Sequence, residues 1–424
     1  MSEIVQNKNN CCGCSACRDI CPAGAICMKQ DEQGFLYPET DEAACIHCGK
    51  CRRVCTMIPH KDDESSYTIR RKKPVYAFAA RSADEENCRR SSSGGVFTVL
   101  ARKIIRDGGV VYGAVFDGHF AVKHARTDTE EGLEAMRTSK YVQSSTEGIF
   151  PLVISDLTEG RSVLFSGTPC QCASLTVLCR AEKVPTDRLL TVDHICHGVP
   201  SPAIWKDWIE IVCRHCTAGD VGAVTEINMR SKDRGWEENH LSIKACVNGN
   251  TGNLDSFTDR FSYRILYSGT CITRPVCFSC PYASMERVSD LTLGDFWNYK
   301  KAGVEFDTAA GVNEILVNTA RGEKAIVDVR PELLLQEVSL KDAWQMHLEY
   351  PVRRSPAYEK FWHDYAVTLN KEAVLKMYMK GSAAGRIIHK ALPFLQRTGL
   401  YEAAGRLYGK IFLRKEKAPE PDSE

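Results

Sequence analysis

Two runs of cysteine near the start of the chain constrain it more than any other feature. Cys11, Cys14, Cys17 and Cys21, followed by Pro22, read C-x2-C-x2-C-x3-C-P. Cys45, Cys48, Cys51 and Cys55 repeat that spacing, with Thr56 in place of proline. Three thiols two residues apart can wrap three corners of one metal cluster, and soft sulfur suits iron. The chain holds 21 cysteines, an odd number, so a complete disulfide framework is excluded. Its first ten residues, MSEIVQNKNN, lack the apolar stretch of a secretory signal. The expected location is therefore a reducing cytoplasm, where clustered cysteines are more often metal ligands or catalytic groups.

The doubled spacing is that of bacterial two-cluster ferredoxins, in which the fourth cysteine of each run serves the other cluster. One 4Fe-4S cluster is thereby assigned to Cys11, Cys14, Cys17 and Cys55, the other to Cys45, Cys48, Cys51 and Cys21. Zinc sites are the alternative, but they show paired C-x2-4-C knuckles rather than triple runs with a trailing cysteine. Residues 1–60 are read as this domain, too small to rest on an apolar core alone. Cys12 and Cys27 fall outside the repeat and are read as bystanders. Two clusters in series make an electron wire, so the remaining chain is expected to supply a redox cofactor or a partner.

That remainder is ordinary in bulk. At 424 residues and 43% hydrophobic, the chain suits two or three domains. Its 55 basic and 54 acidic side chains give no charge excess for nucleic acid. No apolar run approaches the ~20 residues of a membrane helix. Residues 61–74 are charged and polar and read as a linker. Beyond them strands and helices alternate: strands at 75–80, 110–116, 161–167 and 189–196, helices at 94–109 and 170–179. The pattern predicts an α/β domain with a largely parallel core and ligand loops at the carboxyl ends of its strands.

Three loops there carry unusual chemistry. RRSSSGGVF (89–97) puts serines and two glycines at a helix start, where backbone N–H groups and the helix dipole suit a phosphate; a plain serine N-cap is the alternative. SGTPCQC (166–172) places Cys170 near a helix start, which favours its thiolate. DHICHGVPSP (193–202) presents Cys196 between His194 and His197, although neighbours on a strand face opposite ways. Further on, RPVCFSCPYA (274–283) contains Cys277 and Cys280, a chelating pair without partners. Joined to Cys170 and Cys196, the pair completes four thiolates for a third 4Fe-4S cluster; Cys271 is the alternative fourth ligand. Cys213 and Cys216 share C-x2-C spacing on a predicted helix and, with Cys88, Cys172, Cys179 and Cys246, are read as small buried hydrophobes.

Six stretches in order make a specific combination: SSSGGVFTVLA, SKYVQS (139–144), VLFSGTPCQ (163–171), DHICHGVPSP, RSKDRGW (230–236) and RPVCFSCPYASMERVSDLTLGDFWNY. Over roughly residues 1–350 the chain resembles the coenzyme F-420 hydrogenase/dehydrogenase beta subunit family, in the branch with a fused N-terminal ferredoxin. The resemblance implies an α+β/α/β fold class: a small two-cluster ferredoxin-like domain, then an α/β flavoprotein domain over 75–350, then a helical C-terminal tail over 351–424. It implies an iron–sulfur flavoprotein oxidoreductase taking electrons from ferredoxin or another low-potential donor, through three 4Fe-4S clusters and FAD, to a small-molecule or sugar-linked acceptor. Relatives encoded beside polysaccharide pyruvyl transferases extend this to polysaccharide biosynthesis. An electron-transfer subunit feeding a partner enzyme is the rival. Residue by residue, the resemblance supports Cys170, Cys196, Cys277 and Cys280 as ligands and Ser92, Ser93, Gly94 and Gly95 as flavin contacts. Lys140, Tyr141 and Ser144 are expected to line the flavin pocket, and Asp290, Gly294 and Asp295 to contact flavin or substrate. His194 and His197 are candidate proton donors, or groups that tune the third cluster. The basic, amphipathic residues 385–415 suit either a peripheral membrane contact or a cover for the catalytic domain.

Overall fold

The computed structural model describes residues 7–58, 71–379 and Arg406. At the N-terminal end, strands β1 (Ile26–Gln30) and β2 (Leu36–Thr40) pair antiparallel, flanked by one-turn helices Ala16–Asp19 and Lys50–Arg53 that lie within the two cysteine runs and carry Cys17 and Cys51. Asp31 makes the hairpin turn, its carboxylate accepting from the N–H groups of Gln33 and Phe35. This segment does not close a core of its own. Ala16, Ile20 and Val54 are buried in one cluster with Tyr112, Phe150 and Phe165 of the next domain. Gln33 at the hairpin tip is held from two sides, by Ser201 on its carbonyl and by Tyr358 on its side chain.

The main body is an eight-stranded sheet. In chain order its strands are β3 (Tyr76–Ser82), β4 (Val110–Phe116), β5 (Val122–Thr127), β6 (Val163–Gly167) and β7 (Leu189–His194). A separate sheet of β8 (Val224–Ser231), β9 (His240–Val247) and β10 (Asn250–Asn253) intervenes before β11 (Leu291–Asp295), β12 (Asn313–Val317) and β13 (Leu333–Val338) return to the large one. The order across the large sheet is β13-β3-β12-β11-β7-β6-β4-β5. Only β4, β6, β7 and β11 form a parallel run; β12 enters antiparallel between β11 and β3. The expected largely parallel core is thus corrected to a mixed sheet. Its physical origin is a loop without a crossover helix between β11 and β12, which lets the chain turn straight back.

Helices Val96–Arg106 and Ala320–Val329 cover one face through Val99, Leu100, Ile326 and Val329. Helices Ile149–Thr158 and Pro169–Ala181 cover the other. The three-stranded sheet packs with helices Pro202–Cys216, Tyr358–Val367 and Lys371–Met379 around Trp205 and Trp208. Both indoles are buried with their N–H groups satisfied, by Phe120 O at 2.8 Å and Phe261 O at 2.9 Å. The start of the expected C-terminal extension therefore belongs to the body. The basic stretch 385–415 lies outside the described residues apart from Arg406, which sits over the Trp344 ring at 4.3 Å. Residues 61–70 of the expected linker also lie outside them. Its last residues are pinned: Lys72 bridges Arg287 through backbone bonds, and Arg71 donates to Pro281 O at 2.7 Å. Among the described residues no helix is long and apolar enough to cross a membrane.

Candidate functional site

Backbone pairing closes the gap between the two cysteine-bearing loops. The Ser201 N–H donates to Ile272 O at 2.8 Å and the Arg274 N–H to Val199 O at 2.9 Å. The stretch after Cys196 therefore runs antiparallel to the stretch before Cys277. Gly198 sits at the crossing with φ +82°; a Cβ there would stand 2.8 Å from Thr273 Cγ2 and 3.3 Å from Cys277 Cβ. Pro275 opens the tight turn Pro275–Ser279 that carries Cys277. From β6, Thr168 begins the helix Pro169–Ala181, its N–H donating to Gln171 Oε1 at 2.9 Å and its hydroxyl lying 3.1 Å from Cys170 Sγ. The product is a cavity of about 40 Å³ walled by Cys170, Cys196, Cys277 and Cys280 together.

These thiols crowd one another. Burial raises the pKa of Cys196, and the charges of Cys277, Cys170 and Cys280 raise it further. Cys280 is pushed up to about 11 by burial, then by Cys170. Such a group ionises together only around a cation. Cys271, the alternative fourth ligand, is elsewhere: its thiol donates to Ser355 Oγ at 3.3 Å within the helical core. Cys12, expected to be a bystander, instead lines the cavity. Its hydrogen bonds lower the pKa of Cys170 and bring Cys14 down to about 7.

The N-terminal cysteines gather as two further quartets. A cavity of about 30 Å³ is lined by Cys21, Cys45, Cys48 and Cys51. Cys48 is exposed and the other three are half-buried. In the second group, burial raises the Cys17 pKa, followed by the charges of Cys14, Cys11 and Cys55. Burial pushes Cys55 up to about 12. Cys21 and Cys55 thus each lie with the other run. Among the described residues no three His, Cys, Asp or Glu side chains converge on a single-ion site; the cysteines ring spaces instead.

Beyond Cys196 the strand ends form a continuous row. Register aligns Ala80, Asn313 and Asp295, level with the residues just past His194. The serine–glycine loop folds onto this row. The Ser93 hydroxyl donates to Val312 O at 2.8 Å, and Ser92 Oγ accepts from the Ser139 N–H at 2.9 Å. Gly94 lies so close to Ala80 that a Cβ would stand 2.6 Å from its carbonyl oxygen; Gly95 leads into the helix Val96–Arg106. Arg230, near the end of β8, is buried and joins the parts. Its guanidinium pairs with Asp295 at 2.6 Å and donates to Tyr141 Oη at 3.1 Å, Trp236 O at 3.3 Å and Ser92 O at 3.4 Å. Four of the six stretches that carry the resemblance meet through this one side chain, which was not among the expected site residues.

The other expected residues are distributed around this row and the sheet beneath it. The Tyr141 ring stacks on Tyr267, centroids 5.0 Å apart. Lys140 is half-buried, donates to Ala135 O at 2.6 Å, and has its pKa brought down to about 7 by desolvation. Ser144 Oγ lies 2.7 Å from His124 Nδ1 and serves the fold. His194 is exposed, and desolvation by the surrounding protein lowers its pKa. The His197 ring meets the His347 ring edge-on at 4.6 Å, and burial holds its pKa well below the ordinary imidazole range. Gly294 accepts from Asn313 Nδ2 at 3.2 Å through its carbonyl. Asp290 departs from expectation: Thr191 N–H and hydroxyl, both at 2.9 Å, and the Thr319 hydroxyl at 2.7 Å occupy its carboxylate in the sheet interior. Glu314, beside Gly294 on β12, is wholly buried; Gln345 Nε2 donates to one oxygen at 2.7 Å, and the other has no hydrogen-bond partner. Burial pushes its pKa up to about 8, against smaller opposing effects of Gln345 and the Arg287 charge.

Comparison with known proteins matches residues 160–343 to a family described as the carboxyl-terminal part of the coenzyme F420 hydrogenase/dehydrogenase beta subunit. The chain is similar to an uncharacterized ferredoxin of Methanocaldococcus jannaschii, 34% identical over 71 residues, 15% of this chain and 91% of that one. It is similar to an F(420)H(2) dehydrogenase subunit of Methanosarcina mazei, 21% identical over 205 residues, 46% of this chain and 55% of that one. It also resembles polyferredoxin protein MvhB of Methanothermus fervidus, 34% identical over 79 residues, 18% and 17% of the two chains. A solved chain of the F420-reducing [NiFe] hydrogenase complex from Methanosarcina barkeri aligns with TM-score 0.40 and 15% identity, covering 74% of this chain and 94% of that one. Residues 160–343 thus match the carboxyl-terminal part of the coenzyme F420 hydrogenase/dehydrogenase beta subunit family, and that segment is the one that contributes Cys170, Cys196, Cys277 and Cys280.

Proposed function

We propose that this protein is an iron–sulfur flavoprotein oxidoreductase that draws electrons from a low-potential donor and delivers them to an organic acceptor. The carrying observation is the cavity in which Cys170, Cys196, Cys277 and Cys280 converge, next to the N-terminal quartets. The donor set suits three 4Fe-4S clusters: four thiols at each place, close enough to raise one another's pKa at the two inner ones. The three places form a series. The quartet with exposed Cys48 lies outermost, the quartet of Cys11, Cys14, Cys17 and Cys55 is next, and Cys12 links that one to Cys170. Similarity to a ferredoxin and a polyferredoxin supports the electron-carrying role.

The junction of the serine–glycine loop, Tyr141 and Arg230 is the place we assign to FAD. The serine side chains of the Ser92–Gly95 loop are spent on the fold and the Val96 N–H donates to Asn313 Oδ1 at 3.2 Å, so a pyrophosphate here would rely on the remaining backbone N–H groups around the start of the helix Val96–Arg106. The stacked Tyr141 and Tyr267 add an aromatic wall, and Lys140, its pKa brought down to about 7 by desolvation, precedes them on the same stretch as Tyr141. Flavin, when bound, converts single electrons into two-electron chemistry. Arg230 positions the loop, Tyr141 and Asp295 with respect to one another. His194 and His197 flank Cys196, and desolvation lowers the pKa of both, which favours the neutral imidazole and makes the protonated form a stronger acid.

Anaerobic reconstitution of the full chain tests this reading. About 12 irons and as many sulfides per chain are expected with bound FAD, falling to about eight irons in Cys277→Ser. An iron count that Cys277→Ser leaves unchanged would remove the third cluster, and absence of flavin would remove the flavoprotein. The second reading, an electron-carrying subunit without its own substrate, is favoured by the relative that is itself a dehydrogenase subunit. It predicts a loaded, reducible chain that reduces no small molecule.

A further inference from the structure

Arg274 is fully buried, and among the described residues no carboxylate pairs with it. By contrast Arg287, equally deep, is matched by Asp193 at 3.0 Å. The Arg274 guanidinium spends its hydrogen bonds on neutral acceptors that span the molecule. Nε donates to Cys11 O at 2.7 Å, one terminal nitrogen to Gln143 Oε1 at 2.9 Å, the other to Leu36 O at 2.9 Å. Its faces rest on aromatic rings, Tyr37 at 4.3 Å and Phe35 at 5.2 Å. Gln143 passes the link on, its Nε2 donating to Cys12 O at 2.9 Å. Gly13 makes room: φ is +69°, and a Cβ would stand 2.8 Å from an Arg274 terminal nitrogen.

A buried cation held only by carbonyls and rings is expensive; the effective penalty is several kcal/mol per ion. Something must offset it. The acidic side chains in its field are thiols: Cys11 first, then Cys12 and Cys277, alongside the Tyr37 hydroxyl. Cys11 belongs to the inner N-terminal quartet, and Cys277, three residues along the chain from Arg274, lines the cavity of the third. Quartets of thiolates round iron are net anions, and each one-electron reduction adds another negative charge beside the guanidinium.

We infer that Arg274 is a shared counter-ion, a positioning residue that sets the reduction potentials of the inner N-terminal cluster and the third cluster together and so keeps electron transfer between them balanced. The inference rests on the three-cluster reading above and goes beyond it, because it assigns one residue outside all three ligand sets to two of them. A fixed positive charge favours the reduced, more negative state of both. The outermost quartet, open to water at Cys48, is screened from it.

The test uses the full chain, reconstituted anaerobically, with iron content and EPR-monitored potentiometric titration as readouts. A Cys48→Ser background identifies the outermost signal. In Arg274→Gln, iron is expected to stay, while both inner one-electron equilibria shift at least tenfold toward the oxidised form, about 59 mV each. The outermost cluster is expected to hold its potential. Arg274→Lys keeps the charge and is expected to stay within about threefold of the parent equilibria. Loaded Arg274→Gln with unmoved potentials overturns the inference, as does an equal shift at all three clusters. Should Arg274→Gln take up no iron, Arg274→Lys decides: loaded with parent potentials it supports the inference, loaded with both inner potentials lowered it refutes it. A parent chain without iron would defeat the cluster reading itself, a distinct result.

Discussion

Replacing Arg230 with methionine is expected to cost the folded chain about 3–5 kcal/mol, the usual loss when one partner of a buried ion pair is removed. Asp295 would keep its charge 2.6 Å from where the guanidinium had been, on the same wall as Tyr141 and Trp297. Methionine fills much of the volume but satisfies none of the four acceptors. The effect should spread beyond stability. Ser92, Tyr141, Asp295 and Trp236 come from four separate stretches, and Arg230 is what they share. With it gone, flavin retention should fall with stability. Asp295→Asn is the milder break: it leaves the guanidinium its bonds to Tyr141 and two carbonyls and should cost about 1–3 kcal/mol. Urea midpoints of the reconstituted variants, read at unchanged slope, measure both. A loss below about 1 kcal/mol for Arg230→Met would mean that this junction is not a buried ion pair in solution.

Stability should also fall as pH rises through the range where most proteins gain it, and Glu314 is the cause. In the fold its carboxyl stays protonated up to about pH 8; in the unfolded chain it ionises near its ordinary value of 4.5. Between those limits the unfolded state has released a proton that the folded state retains, so each step upward in pH favours unfolding. The contribution is fully present below pH 4.5, declines by about 1.4 kcal/mol per pH unit, and has lost roughly 3 kcal/mol by pH 7. Above about pH 8 the decline stops. Glu314→Gln keeps the shape and carries no ionisable proton, so its midpoint should lose this slope. Paired urea titrations near pH 5 and pH 7 check it. Parallel curves for the two proteins would show that Glu314 is ionised in the fold.

The N-terminal cysteines were legible because their spacing is itself the geometry of the ligand set. Strand β4 fell where its apolar run lies, and the helix after Thr168 where its proline and glutamine predict one. Less was legible where the partner lies far along the chain. For the fourth thiol beside Cys277 the sequence favours Cys196 and leaves Cys271 open as the alternative. The choice is made by the pairing of 199–201 with 272–274, which no local pattern encodes. Asp290 sits in a stretch that suggests a ligand contact, but Thr191, 99 residues away, claims it. The antiparallel insertion of β12 was missed because a buried central strand reads the same in either direction. Arg274 stood in plain view beside the cysteine pair. Its meaning depends on Cys11, 263 residues distant, and on the absence, among the described residues, of a carboxylate paired with it.

The grading of exposure along the cysteine series has a consequence for how the protein ages. Cys48 faces water while Cys11 and Cys12 are buried. Dioxygen and alkylating reagents dissolved in the surrounding fluid reach thiolate sites in order of access. With clusters in all three places, attack would begin at Cys48, the most open of the twelve thiols, and would reach the half-buried thiols of the inner quartets later.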